Sequence, residues 1–334
     1  MRVPHGVIDL DALAIDIGGT KIIAALFRDD EILVEERIPT PTHGLEEVLH
    51  ALVSRVLRES GTRSVRRAGV AAPGPLDLGR GLIREAPNIR QRTVDIVAAL
   101  KGLVREAVIS NDAVAAAWAE KVLVGAPSDY ALITIGTGIG GGIVLSGEPL
   151  LGRRGGAHEV GHMVVSLEGP PCGCGGRGHW EALAGGAWIE RTLRMIWPGI
   201  GCSSEPPRGP EDLYRRARSG DECSLEAIGF LARVHAAGIA SVAAAYDPEI
   251  VYLAGGLYWA GRDLYMPRIR DLLGEYAMKG QAPRLLDATY GPRQTLYGAY
   301  AIAIRPPRRL VELNSHELSP RWGSLGEENS MATG

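Results

Sequence analysis

The sequence predicts an α/β protein of two domains, on three observations. At 334 residues the chain is long enough for two cores. Hydrophobic residues make up 46% of it, which supports globular packing rather than an extended or disordered chain. Short β-prone runs bounded by glycine turns alternate with longer segments of helical periodicity.

Residues 13–17 read as a buried strand, Gly18-Gly19-Thr20-Lys21 as a turn, and residues 22–27 as a second strand, followed by Asp29-Asp30 and a third run over 32–38. A Gly-Gly turn with a hydroxyl and a cation can point backbone N–H groups at an anion. Taken alone, a plain hairpin explains it equally well. From 44 to 60, Leu45, Val48, Leu49, Leu52, Val53, Val56 and Leu57 follow i, i+3, i+4, i+7 spacing and mark an amphipathic helix packed on a sheet. Residues 68–72 form a short strand that ends at the rigid Pro73-Gly74-Pro75 turn.

Residues 107–111 read as a strand leading to Asn111-Asp112 and an Ala-rich helix over 113–123, where the ordinary role of such a pair is to cap the helix. Residues 129–135 are another buried strand. It runs into Gly136-Thr137-Gly138-Ile139-Gly140-Gly141-Gly142 and then 143–145. A dinucleotide fingerprint needs a helix after its glycines, so strand, glycine loop, strand argues against that reading. Helices are expected over 183–196, 211–218, 223–246 and 292–304, with a loop over 198–210. A strand over 249–253 precedes Ala254-Gly255-Gly256-Leu257. From residue 314 the composition turns polar and glycine-rich, and a disordered tail is expected.

Five of the twelve His and Cys side chains lie between Ala157 and Glu181. His158-Glu159-Val160-Gly161-His162 matches H-E-x-x-H, which on a helix would bind zinc for a metalloprotease. Glycines before and inside the motif and a β-prone run after it argue against that helix, and Val165 and Glu168 occupy the positions of the extended motif's Gly and third His. The competing reading joins His162, Cys172, Cys174 and His179 into a closed site for a structural Zn2+, with no open position for chemistry. The remaining cysteines, Cys202 and Cys223, are isolated in sequence, so reduced thiols and metal are expected rather than a disulfide framework.

A net charge of −3 gives no electrostatic footprint for nucleic acid or an anionic membrane. The first residues lack a signal-peptide core and no apolar run approaches the length of a membrane span, so a cytoplasmic protein is expected, monomer or homodimer.

Glu159-x-Gly161-His162 followed by Cys172-x-Cys174-Gly175-x-x-Gly178-x-x-Glu181 resembles the signature of the ROK family of sugar kinases, with His179 where a third Cys usually stands. Asp16-x-Gly18-Gly19-Thr20-Lys21 resembles that family's first phosphate motif. The resemblance covers roughly residues 11–305, with its elements in the family's order.

It implies a ribonuclease H-like, actin-like ATPase fold of hexokinase type, with an interdomain cleft. The implied division is 1–112 plus 293–313, 113–292, and the tail 314–334. It implies ATP with Mg2+ as donor, and a hexose, glucose first among them, as acceptor at the 6-hydroxyl. Asp112 would be the general base, kept ionised near neutral pH by the helix N-terminus. Asn88, Asn111, Asp112, Glu159, His162 and Glu181 would hold the sugar. Asp16, Gly18, Gly19, Thr20 and Lys21 would meet the phosphates from one side and Thr137 and Gly138 from the other, with Gly255 and Gly256 near the adenosine. The family's repressors carry a DNA-binding segment ahead of the phosphate motif; with fifteen residues before Asp16, a kinase rather than a repressor is expected.

Overall fold

The structure, a computed structural model, describes residues 11–153 and 155–318. The chain divides into two compact units, each with its own hydrophobic core. One holds the residues up to Ser110, Ile302–Pro306 and those from Leu310 onward; the other holds Asn111–Ala301 and Pro307–Arg309.

The first unit begins with an antiparallel meander of β1 (Ala12–Ile17), β2 (Lys21–Arg28) and β3 (Glu31–Pro39). Helix α1 (Leu45–Glu59) then crosses back to β4 (Val65–Ala72), which runs parallel to β1. Six of the seven apolar positions that predicted α1 are buried, and each contributes about 1.5–3 kcal/mol by leaving water. Gly44 offers the helix no side-chain cap. Gln91 accepts the Leu45 N–H at 3.1 Å instead, and Glu46 and Glu47 complement the dipole. A small sheet without any signal in the sequence, β5 (Leu76–Asp77), β6 (Leu82–Arg84) and β7 (Thr93–Asp95), precedes α2 (Ile96–Leu100) and β8 (Val104–Asn111).

The second unit opens with α3 (Asp112–Ala119), which passes through one π turn, and the hairpin β9 (Tyr130–Ile135) and β10 (Ile139–Leu145), edged by β11 (Glu148–Pro149). After the metal-capable loop come α4 (Trp180–Ala184), α5 (Ile189–Ile200), α6 (Pro210–Arg218) and α7 (Glu222–Tyr246). The helix expected over 183–196 is therefore broken at Gly185-Gly186, and Pro198 lies in the last turn of α5 rather than in a loop. Next are β12 (Ile250–Ala254), α8 (Gly256–Tyr276), β13 (Arg284–Asp287) and α9 (Gln294–Ile304). Strand β12 is buried at every position because it is central, parallel to β9 on one side and β13 on the other.

Three expectations are corrected. Helix α7 is long and apolar enough by composition to cross a membrane, but 67% of that window is buried inside the protein, so it serves as a core helix. Cys202 and Cys223 form a disulfide across 21 residues; the fold brings their Cα atoms to 6.1 Å, which sequence distance does not reveal. The tail does not begin at residue 314. Helix α10 (Arg308–Asn314) leads into β14 (Ser315–Glu317), which pairs antiparallel with β8, and Asn314 Oδ1 accepts the Ile109 N–H at 2.8 Å. The first unit's sheet thus runs β14-β8-β4-β1-β2-β3. The rest of the expected tail, 319–334, lies outside the described residues.

Candidate active site

In the first unit the β1–β2 turn is held from within and by Thr40, the residue after β3. The Gly18 N–H donates to Lys21 O at 2.9 Å, the Thr40 hydroxyl donates to Gly18 O at 2.6 Å, and the Thr40 N–H donates to Thr20 O at 3.1 Å. Gly19, Thr20 and Lys21 are exposed at its tip, and Asp16 is half-buried on β1 just before it. Position 19 must be glycine, since a Cβ there would lie 2.7 Å from Asn88 Cβ. The turn and Asn88 are therefore neighbours, although 69 residues separate them (88 − 19).

In the second unit Asn111 caps α3, its Oδ1 accepting from the Ala113 N–H at 2.9 Å and the Val114 N–H at 3.4 Å. Asp112 Oδ1 also accepts from Ala113, at 2.8 Å. Removal from water pushes the Asp112 carboxyl up to about 6, and the Glu159 carboxylate adds to the rise; the Ala113 N–H and the Asn111 side chain pull the other way. The expected ionised state near neutral pH holds, but against an opposing desolvation that the helix N-terminus does not cancel. Desolvation wins, and the carboxylate is ionised at pH 7 by a margin of only about one unit.

Residues Val160–His162 form a 3-10 turn, not an α-helix, and His158 is buried with its pKa lowered by burial. The H-E-x-x-H side chains consequently share no helical face. His162 turns Nδ1 toward Cys172 Sγ at 3.8 Å and Nε2 toward Glu159 Oε2 at 3.8 Å. Cys174 Sγ lies 3.2 Å from His179 Nδ1, and one donor atom from each of His162, Cys172, Cys174 and His179 falls within 4.8 Å of the others. A tetrahedral zinc with ligands at 2.0–2.3 Å needs donors roughly 3.3–3.8 Å apart, so the four fit the ion after a small contraction. Among the described residues this closed Cys2His2 set suits a structural ion.

The second glycine loop is fastened to the segment on the C-terminal side of the metal cluster. Gly186 and Ala187 donate their N–H groups to Gly136 O and Thr137 O, both at 2.9 Å. Glu181 Oε2 accepts the Ile139 N–H at 2.9 Å, and a Cβ on Gly138 would come within 2.3 Å of that oxygen. Gly255, at φ 101°, packs against Ile135, where a Cβ would meet the backbone at 2.3 Å; Gly256 starts α8 with open space beside it. Sequence reasoning missed Thr40 as a brace of the first turn and the bond from Glu181 to Ile139. Neither leaves a local signal, because each joins segments distant in the chain.

The two sheets with their glycine hairpins and flanking helices define a protein of the ribonuclease H-like, actin-like ATPase class, of hexokinase type. The family model described as ROK family matches residues 12–305, and the chain belongs to the ROK family. A glucokinase of Aeropyrum pernix is 42% identical over 325 residues, covering 90% of this chain and 98% of its own. An N-acetylmannosamine kinase of Citrobacter koseri is 34% identical over 273 residues, covering 80% and 89%. Among solved structures, a ROK hexokinase from Thermus thermophilus superposes with a TM-score of 0.75 at 33% identity, covering 88% of this chain and 98% of its own. A ROK family glucokinase from Streptomyces griseus in complex with glucose and AMPPNP gives 0.72 at 31%, covering 88% and 99%.

Proposed function

We propose that the chain is an ATP-dependent hexose kinase that phosphorylates glucose at the 6-hydroxyl. The observation that carries the reading is Asp112: a half-buried carboxylate at a helix start, its pKa raised to about 6, with Glu159 close enough to contribute to the rise. A base so poised is ionised at neutral pH yet basic enough to take a hydroxyl proton.

On this reading Asp112 accepts the proton of the 6-hydroxyl as that oxygen attacks the γ-phosphorus. The bond from phosphorus to the β-bridging oxygen breaks, and ADP departs. Such base catalysis supplies about 10²–10⁴-fold in rate. Asn88, Asn111, Glu159, His162 and Glu181 orient the other hydroxyls. The backbone of Gly18 to Lys21 with Asp16 in the first unit, and Thr137 with Gly138 in the second, are the phosphate-binding groups of this reading, and Gly255 and Gly256 those for the adenosine. Mg2+, bound with the nucleotide, supplies charge neutralisation on the phosphates. His162 has one ring nitrogen in the donor cluster and the other beside Glu159, so a zinc held by His162, Cys172, Cys174 and His179 would fix that ring for its sugar contact. Use of ATP as donor goes with a cytoplasmic location.

The test is ADP release with ATP, Mg2+ and a panel of glucose, mannose, fructose and N-acetylmannosamine. Glucose-dependent release supports the reading. Release only with N-acetylmannosamine moves the substrate to the class named for the Citrobacter koseri relative. Sugar binding without turnover would make the chain a sensor.

A further inference from the structure

Trp180 stands between His179, in the donor cluster, and Glu181, which holds the Ile139 N–H. Its side chain is fully buried and faces α7. The indole N–H donates to His235 Nδ1 at 3.1 Å, with the rings edge-on. Three residues along the same helical face, Gly238 leaves the space the indole fills; a Cβ there would come within 2.2 Å of the ring. Helix α7 thus provides both a socket and an acceptor. On its other side His235 meets Tyr265 of α8 edge-on, with centroids 5.5 Å apart.

Burial pushes the His235 imidazole down to about 3, so it is neutral. Because Nδ1 accepts the indole proton, the ring's own proton is on Nε2. Helix α4 has five residues and no side-chain cap, far below the length that holds a helix unaided. Beside the Ile139 N–H on Glu181 and the Trp180 N–H on Met163 O, the anchor that fixes the directions of His179 and Glu181 is what the Trp180 side chain is fastened to.

We propose that His235 is a positioning residue that, through Trp180, holds His179 toward the metal cluster and Glu181 toward the sugar. The sugar half rests on the hexose-kinase reading above, and the metal half rests on the donor cluster alone. Three variants of the full, zinc-loaded chain test it: His235→Leu removes the acceptor, His235→Asn sets Oδ1 where Nδ1 stood, and Trp180→Phe removes the donor while keeping a ring. The readouts are glucose Kd by calorimetry, KM and kcat, the rate of zinc loss to a chelator, and melting temperature.

His235→Leu and Trp180→Phe should raise glucose Kd and KM about tenfold and release zinc about tenfold faster, the usual scale for a group behind a ligand, with kcat much less affected. His235→Asn should restore most of both. A lower melting temperature with wild-type glucose Kd, KM and zinc release would overturn the proposal and leave His235 a packing residue. Should His235→Leu fail to fold, the contrast between Trp180→Phe and His235→Asn decides on the same readouts. A wild-type chain that neither binds nor phosphorylates glucose would sink the hexose reading, and zinc release would then decide alone: equal rates in wild type and variants overturn the positioning role.

Discussion

Glu181 and Ile139 are joined by a 2.9 Å hydrogen bond from backbone N–H to Oε2 that ties the end of the metal loop to the start of β10. The oxygen belongs to a carboxylate, and a bond of this charged kind contributes about 1.5–3 kcal/mol when both partners are in place. With Gly186 and Ala187 also bonded to Gly136 and Thr137, the glycine loop cannot shift without moving α4. The groups read here as sugar-binding and phosphate-binding are thus mechanically one piece within the second unit.

Gly138→Ala tests that coupling, because its Cβ would press on Glu181 Oε2. The expected outcome is a rise of about tenfold in KM for both glucose and ATP, on the order of 1.4 kcal/mol each, at a nearly unchanged melting temperature. Glu181→Gln retains an acceptor for the Ile139 N–H and should raise KM for glucose while sparing that for ATP. Steady-state kinetics with each substrate varied in turn separates the two; unchanged KM values in Gly138→Ala would show that the loop and the carboxylate move independently.

Asp112 links rate and stability to pH with opposite signs. In its proposed role as base Asp112 must be ionised, so kcat/KM should fall about tenfold per pH unit below the apparent pKa near 6 and level off above it. For stability, the folded pKa lies above the ordinary value of 3.8, so the fold favours the neutral acid. That contribution is complete below 3.8 and is lost as pH rises through about 6. Asp112→Asn keeps the acceptor for the Ala113 N–H without the charge. At pH 8 it should therefore gain on the order of 1–2 kcal/mol, the full shift being discounted for partial exposure, while losing about 10²–10⁴-fold in turnover. Denaturant titration at pH 8 beside the rate assay decides; a destabilised Asp112→Asn would contradict the desolvation account.

How much of the fold and site is legible in the sequence depends on how local each determinant is. The helix over 45–59 is legible because seven apolar residues repeat along one face, and the two glycine hairpins because a turn is made by its own residues. The donor cluster is legible for the same reason, with three of its ligands within eight residues (172–179). Trp180, in the same stretch, has no local signal: its partners His235 and Gly238 lie more than fifty residues on, in a helix that reads simply as Ala-rich. The upward pull on the Asp112 carboxyl is hidden in the sequence because desolvation depends on what packs around it, whereas the helix terminus is visible locally. Strand β14 is hidden because pairing with β8 is backbone chemistry that a polar composition does not advertise.

The metal cluster predicts a spectroscopic result. With two thiolates and two imidazoles, the cobalt(II)-substituted protein should show the tetrahedral visible bands of a Cys2His2 site, and His179→Cys should strengthen the thiolate charge-transfer band while retaining the metal. Removing zinc with a chelator should lower the melting temperature and raise KM for glucose, since His162 loses its anchor. Octahedral, weakly coloured cobalt would show that the four side chains do not close on one ion.

The Cys202–Cys223 bridge encloses α6, which is also held by the buried Leu213 and Tyr214 and by Arg218 bonding Asp263 of α8. Closing a loop of this length restricts the unfolded chain by about 3 kcal/mol, so Cys202→Ser with Cys223→Ser should lose about that much stability. Turnover should stay within about twofold, since neither cysteine belongs to the assigned site. Thiol counting after denaturation in chelator decides whether the bond exists as isolated. Two reactive thiols before reduction and four after it mean the bridge is closed, an uncommon state in the cytoplasm outside hyperthermophiles. Four thiols at the outset would mean that packing alone holds α6, and the double serine variant should then melt with the wild type.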